Sequence, residues 1–298
     1  MKTYNFNTLP TLMRNSEFLL KTNIVEKRFV HLRNQICKKF QDLEHEYSKQ
    51  NCLKKSVFKK NSWKRDIKKN EYGGGLSSIL KGNLFEKVGV NISTVSGIFP
   101  DSFKKNIKGA SKDPRFFATG LSIVAHMYSP FIPAAHYNSR FIVTKEAWFG
   151  GGCDLTPTYN QQIIKKDFHN VLKKFCDRHN KSYYKKYSKL CADYFYLKHR
   201  NEERGIGGIF YDYLNNNWDK NFKFTSETGD IFLESFTKYI NKYKNKSWTK
   251  KNRFKLLEKR SRYVEFNLLY DKGTMFGLKT NGNVEAILMS LPPLASWN

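Results

Sequence analysis

The sequence predicts an α+β fold, a single domain built on an antiparallel sheet with helices packed on it. Three observations predict it. Apolar residues recur at helical spacing near the N-terminus and again past residue 160, while residues 76–144 and 263–290 break into short β-like runs. The order is helix, strands, helices, strands, without a βαβ rhythm, an internal repeat or a composition shift that marks a linker. The chain has 298 residues, 40% of them hydrophobic and 15% aromatic, which is enough to bury a core without a disulfide or metal staple.

The first element is a helix. Val25, Phe29, Leu32, Ile36, Phe40, Leu43 and Tyr47 form one apolar stripe at steps of three and four. Residues 48–70, rich in Lys and Asn, read as a loop or a loosely packed crossing. Strand candidates follow at Ser78–Leu80, Leu84–Phe85, Val90–Val95, Thr119–Met127 and Asn138–Thr144, with residues 100–114 as a loop. Gly150-Gly151-Gly152 reads as a turn. Three helices come next. Ile164, Phe168, Val171, Leu172 and Phe175 mark one, Tyr183 to Leu197 a second, and Phe232, Phe236, Ile240 and Tyr243 a third. Tyr263–Leu269, Met275–Leu278 and Val284–Ser290, separated by Asp271-Lys272-Gly273 and Asn281-Gly282, read as a closing antiparallel meander.

Lys+Arg exceed Asp+Glu by 53 to 26, a net charge of +27. The cations are mostly Lys, are spread along the chain and travel with many Asn. The surplus therefore reads first as a tolerant surface, then as a basic site for a small anion, and last as a nucleic-acid footprint. Cys37, Cys52, Cys153, Cys176 and Cys191 form no C-x-x-C pair, which disfavours iron–sulfur and structural zinc sites and suits free thiols. No run approaches the ~20 apolar residues of a membrane span, and no secretory leader is visible, so the expected location is the cytoplasm.

Three clusters concentrate polar chemistry. In His126 to Arg140, the pair Asn138 and Arg140 lies two apart and so shares one strand face. Such an Arg clamps a carboxylate, or simply lies on a solvated face. In Trp148 to Pro157, Asp154 follows the three glycines, placed to accept hydrogen bonds from a ligand N–H or to cap a following helix. In Asp193 to Asp212 a helix runs into a charged, glycine-rich corner, where Gly205-x-Gly207-Gly208 is not a dinucleotide fingerprint. His126, His136, His169 and His199 lie in or near these clusters. They lack H-E-x-x-H spacing, so acid–base or structural histidines fit better than a metal site.

Together these clusters resemble the aerobic, oxygen-dependent coproporphyrinogen-III oxidase family, from about Ser62 to Trp297. The resemblance also rests on Phe85 to Val90, Arg262-Tyr263-Val264-Glu265-Phe266-Asn267-Leu268, Asp271 to Thr274 and Ile287 to Pro293. It implies a large antiparallel sheet flanked by helices on both faces. Residues 1–60 would be a helical segment of the same domain and 61–298 the catalytic region. The implied reaction is oxidative decarboxylation of two propionates of coproporphyrinogen III to vinyls in haem biosynthesis, giving protoporphyrinogen IX, CO₂ and H₂O₂. Dioxygen is the co-substrate and no organic cofactor is needed, in keeping with the missing flavin, nicotinamide and iron–sulfur signatures.

By position, the resemblance implies His136 as proton donor. Ser122, Asn138, Ser139, Arg140 and the loop Asn281-Gly282-Asn283 become substrate contacts, with Arg140 on a propionate and Asp154 accepting pyrrole N–H bonds. It associates His126, His136, His169 and His199 with a divalent metal in bacterial members. It implies a homodimer joined through Tyr263 to Leu294, and no nucleic-acid partner. Asn283 stands where the family usually has Arg.

Overall fold

The computed structural model describes residues 8–66, 71–105, 107–279 and 282–297. Helix α1 (Ser16–Gln50) starts where the Asn15 side chain accepts the Glu17 and Phe18 N–H groups. Its predicted stripe is buried from Val25 through Leu43. Then come β1 (Lys59–Lys64), β2 (Tyr72–Leu80), β3 (Phe85–Ile98), the short α2 (Asp101–Lys104), β4 (Arg115–Met127), β5 (Ala134–Val143) and β6 (Ala147–Thr156). Helices α3 (Gln161–His179) and α4 (Tyr183–Tyr194) lead to the two-residue strands β7 (Tyr196–Leu197) and β8 (Glu202–Glu203), then β9 (Gly208–Leu214). The chain ends in α5 (Trp218–Tyr243), α6 (Lys250–Leu269), α7 (Lys272–Lys279) and α8 (Val284–Ile287).

Seven strands form one antiparallel sheet in the order β1-β2-β3-β4-β5-β6-β9. One face is apolar. Phe40 of α1 packs 5.1 Å from Phe85 and 5.7 Å from Phe236 of α5, and Tyr137 of β5 stacks 5.2 Å from Phe232. Each such fully buried side chain contributes about 1.5–3 kcal/mol. Helices α6 and α8 attach to the other face by polar anchors. Glu86 of β3 pairs with Arg253 and Arg260 at 2.6 and 2.7 Å, and the Asn91 amide donates to the Ala286 carbonyl at 2.6 Å.

The closing meander does not form. Tyr263–Leu269 lies in α6, and Met275–Leu278 and Val284–Ile287 lie in α7 and α8. The α6 period is camouflaged because its buried face, Leu256, Arg260, Tyr263 and Phe266, contains an arginine. Arg260 tolerates burial through Glu86 and the Met127 carbonyl, partners that no local pattern reveals. One further expectation fails for a related reason. Gly150 to Gly152 is the middle of β6, not a turn. Runs of small residues look like turns, yet they suit a strand over which neighbouring side chains must reach. Residues 59–64, inside the expected loop, form the edge strand β1.

Candidate active site

Strand alternation puts His136, Asn138 and Arg140 on the sheet face opposite α1 and α5. The register gives each a neighbour across the sheet. His136 faces Val124 and Asp154, Asn138 faces Ser122 and Gly152, and Arg140 faces Gly120 and Gly150. One strand further, Gly208 lies beside Asp154 and Phe210 beside Gly152. Four glycines on these rungs keep the floor low, so the few long side chains lie across it and meet one another.

They meet as a continuous polar chain. Arg204, from the loop before β9, pairs with Asp154 Oδ1. Asp154 Oδ2 lies 2.8 Å from His136 Nδ1. The Asn138 amide nitrogen is 3.5 Å from His136 Nε2, and its oxygen accepts Arg140 Nη1–H at 3.1 Å. Arg140 Nη2 reaches Asp212 Oδ2 at 2.8 Å. Because Arg140 supplies only donors, it sets the Asn138 amide orientation, with N–H toward His136. Asp154 therefore takes the Nδ1 side of the ring, and the Asn138 amide faces Nε2.

The Arg204 end is dry. Arg204 is 1% exposed, and its guanidinium sits 4.0 Å from the Phe195 centroid, 4.5 Å from Tyr263 and 5.0 Å from Phe266. Burial alone would raise the Asp154 pKa, but the charges of Arg204 and His136 outweigh it and hold the carboxyl below its ordinary value. Both oxygens of Asp154 are thus engaged inside the protein. The residue is not a helix cap: it lies within β6, with one oxygen on Arg204 and the other on His136.

Ser122, Asn138, Arg140, His136 and Asp154 share the open face. Ser139 does not: its side chain is buried on the α1/α5 face. Asn281 lies outside the described residues. Gly282 and Asn283 form the loop before α8, where the Asn283 side chain accepts the Ala286 N–H at 2.8 Å as a helix cap.

The four histidines do not converge on a metal. His126 Nε2 donates to the Ser290 carbonyl at 2.9 Å, and His169 Nε2 to the Ile206 carbonyl at 2.8 Å. His199 lies between Glu265 and Tyr270, both at 2.8 Å, and His136 holds Asp154. Among the described residues no group of three or more His, Cys, Asp or Glu is arranged to hold a metal ion. Burial, reinforced by Arg260, lowers the His126 pKa to about 3, consistent with a neutral core imidazole.

Sequence reasoning passed over two members of the chain, Arg204 and Asp212. Reading 208–214 as a strand would have put Phe210 and Asp212 together on one face. Nothing local marks Arg204 as buried.

A family model described as coproporphyrinogen III oxidase matches residues 24–298. The chain is 50% identical over 276 residues to the oxygen-dependent coproporphyrinogen-III oxidase of Rickettsia akari (strain Hartford), covering 92% of this chain and 98% of that protein. The identity to the protein of the same name from Rickettsia bellii (strain OSU 85-389) is 51% over 270 residues, 90% of this chain and 95% of that one. For Rickettsia rickettsii (strain Sheila Smith) it is 50% over 276 residues, at 92% and 98%. Matched by that family model over most of its length and half identical to these relatives, the chain belongs to the coproporphyrinogen III oxidase family.

Proposed function

We propose that this chain carries out the oxygen-dependent oxidative decarboxylation of coproporphyrinogen III to protoporphyrinogen IX. The observation that carries the reading is the Arg140–Asn138–His136–Asp154–Arg204 chain across the open sheet face, in a chain half identical to enzymes of that name. In each step a propionate, a proton and one O₂ become a vinyl, CO₂ and H₂O₂. Two steps account for both vinyls.

Arg140 binds the propionate carboxylate; its side chain is 29% exposed and so reachable. Ser122 and Asn138 line the same floor. His136 handles the proton at Nε2. Its lone pair accepts one from the substrate and its imidazolium returns one to reduced oxygen, while Asp154 keeps the ring in place through both states. Arg204 keeps Asp154 ionised without opening it to solvent. The electron-rich tetrapyrrole reacts with oxygen itself, so positioning and charge are what the protein supplies.

The homodimer implied by the family fits the C-terminal helices, where Leu268, Leu269, Leu278, Val284 and Leu294 are exposed within or at the end of Tyr263–Leu294. A cytoplasmic location fits a chain in which no helix among the described residues is long and apolar enough to cross a membrane.

The test is aerobic turnover of coproporphyrinogen III by chelator-treated protein. Protoporphyrinogen IX accumulating with one O₂ consumed per vinyl supports the reading. Porphyrin binding with neither product nor oxygen uptake, and no rescue by divalent metal, overturns it.

A further inference from the structure

Arg140 meets a carboxylate that belongs to the protein. Asp212 Oδ2 lies 2.8 Å from Arg140 Nη2, while Asp212 Oδ1 accepts the Tyr213 N–H at 3.0 Å. The fold is bent to make this pair. Phe149 pairs with Leu214 and Gly151 with Tyr211, so Asp212 and Tyr213 together oppose the single residue Gly150. This is a β-bulge, and bulges beside functional sites re-aim side chains. Tyr213 takes a φ of +56°, a conformation costly for a non-glycine residue, and its ring stacks on Trp148 at 5.1 Å. Gly150 leaves the gap that the pair crosses. A Cβ there would lie 2.5 Å from Asp212 Oδ1 and 2.8 Å from Arg140 Nε.

Stability does not account for this construction. The side chains of Arg140 and Asp212 are 29% and 30% exposed, and ion pairs this open contribute little to folding. The chemistry does account for it. A propionate that binds Arg140 is destroyed by the reaction, since its carboxylate leaves as CO₂. Each turnover would therefore leave the guanidinium facing a neutral vinyl.

We propose that Asp212 is a positioning residue that stands in for the substrate carboxylate. It holds Arg140 aimed while the site is empty, gives way to an incoming propionate, and re-pairs Arg140 once that carboxylate is gone. Carboxylate exchange at Arg140 then sets both substrate affinity and the release of the vinyl product. The inference rests on the reading that Arg140 binds a propionate of the tetrapyrrole.

Asp212→Asn tests it, because the amide oxygen still accepts the Tyr213 N–H while the competing charge is gone. Binding is measured by fluorescence titration with coproporphyrin III, the oxidised form that does not turn over, and kinetics with coproporphyrinogen III. The expected result is a Kd lowered about five- to tenfold, with KM following and kcat falling several-fold as release slows, from loss of one like-charge competitor for a charge-assisted hydrogen bond. Asp212→Ser removes the charge in a smaller side chain and serves if the first variant melts early. Unchanged or weaker coproporphyrin binding in a folded variant overturns the inference. A wild-type chain that binds coproporphyrin without turnover sinks the proposed reaction, while the Kd comparison still decides the role of Asp212. A wild-type chain that binds none sinks both.

Discussion

The two ends of the polar chain contain the same pair of groups, an arginine and an aspartate, in opposite surroundings. At one end Arg204 and Asp154 are 1% and 4% exposed and the guanidinium is enclosed by three aromatic rings. At the other, Arg140 and Asp212 are each about a third open to solvent. A buried pair is costly to break, because removing one partner strands a charge in a medium that cannot solvate it. An open pair exchanges partners with little penalty. The dry end can therefore fix His136 permanently, and the wet end can give up its carboxylate to a ligand. Placing both on one sheet face, joined by Asn138, lets a single strand carry a rigid function and an exchangeable one.

The comparison breaks most severely at Arg204. Arg204→Ala leaves the buried Asp154 carboxylate without its guanidinium partner, held only by His136, and should cost about 3–5 kcal/mol, read from urea unfolding. A midpoint close to wild type would mean that the dry end is not dry. His136→Gln, between the two ends, should lower kcat by about 10²–10⁴ while substrate binding stays within a few-fold. Steady-state kinetics with direct porphyrin binding separates the two quantities, and equal losses in both would assign His136 to binding instead.

Arg140→Ala sharpens the contrast from the wet end. It should raise KM about 10- to 100-fold, the loss of one charge-assisted contact, and change unfolding free energy by less than about 1 kcal/mol. Wild-type KM would remove Arg140 from the substrate site. The smallest effect concerns His126, buried on the same face beneath the Ser290 carbonyl. Its folded pKa of about 3 lies below its unfolded value. The stability it contributes is therefore fully present above about pH 6.5 and is lost as pH falls toward 3. Going from pH 7 to pH 5 should cost about 1–2 kcal/mol, and His126→Gln should flatten that slope. Carboxylates held low, such as Asp154, lose their share only below about pH 4, so the two contributions separate on the pH axis.

Much of this protein is written locally in its sequence. The stripe of α1 is legible because a helical period of 3.6 repeats within the segment itself. The placement of His136, Asn138 and Arg140 on one face follows from strand alternation in the same way. Motif order alone carried the family resemblance. What failed locally failed for stated reasons. The Gly150 run looks like a turn until the side chains that cross it are known, and α6 hides its period behind a buried arginine.

Tertiary structure decided which residues become partners. Arg204 and Asp154 lie 50 residues apart, and each is isolated until β6, β9 and the intervening loop come together. The bulge opposite Gly150 that brings Asp212 to Arg140 exists only as a register between two strands. The four histidines share a neighbourhood in the sequence motifs, yet each is bonded to a different part of the fold. Periodicity is a property of one segment and can be read from it. A hydrogen bond or ion pair between distant segments depends on how the sheet assembles, and burial then determines whether that pair holds firm or exchanges.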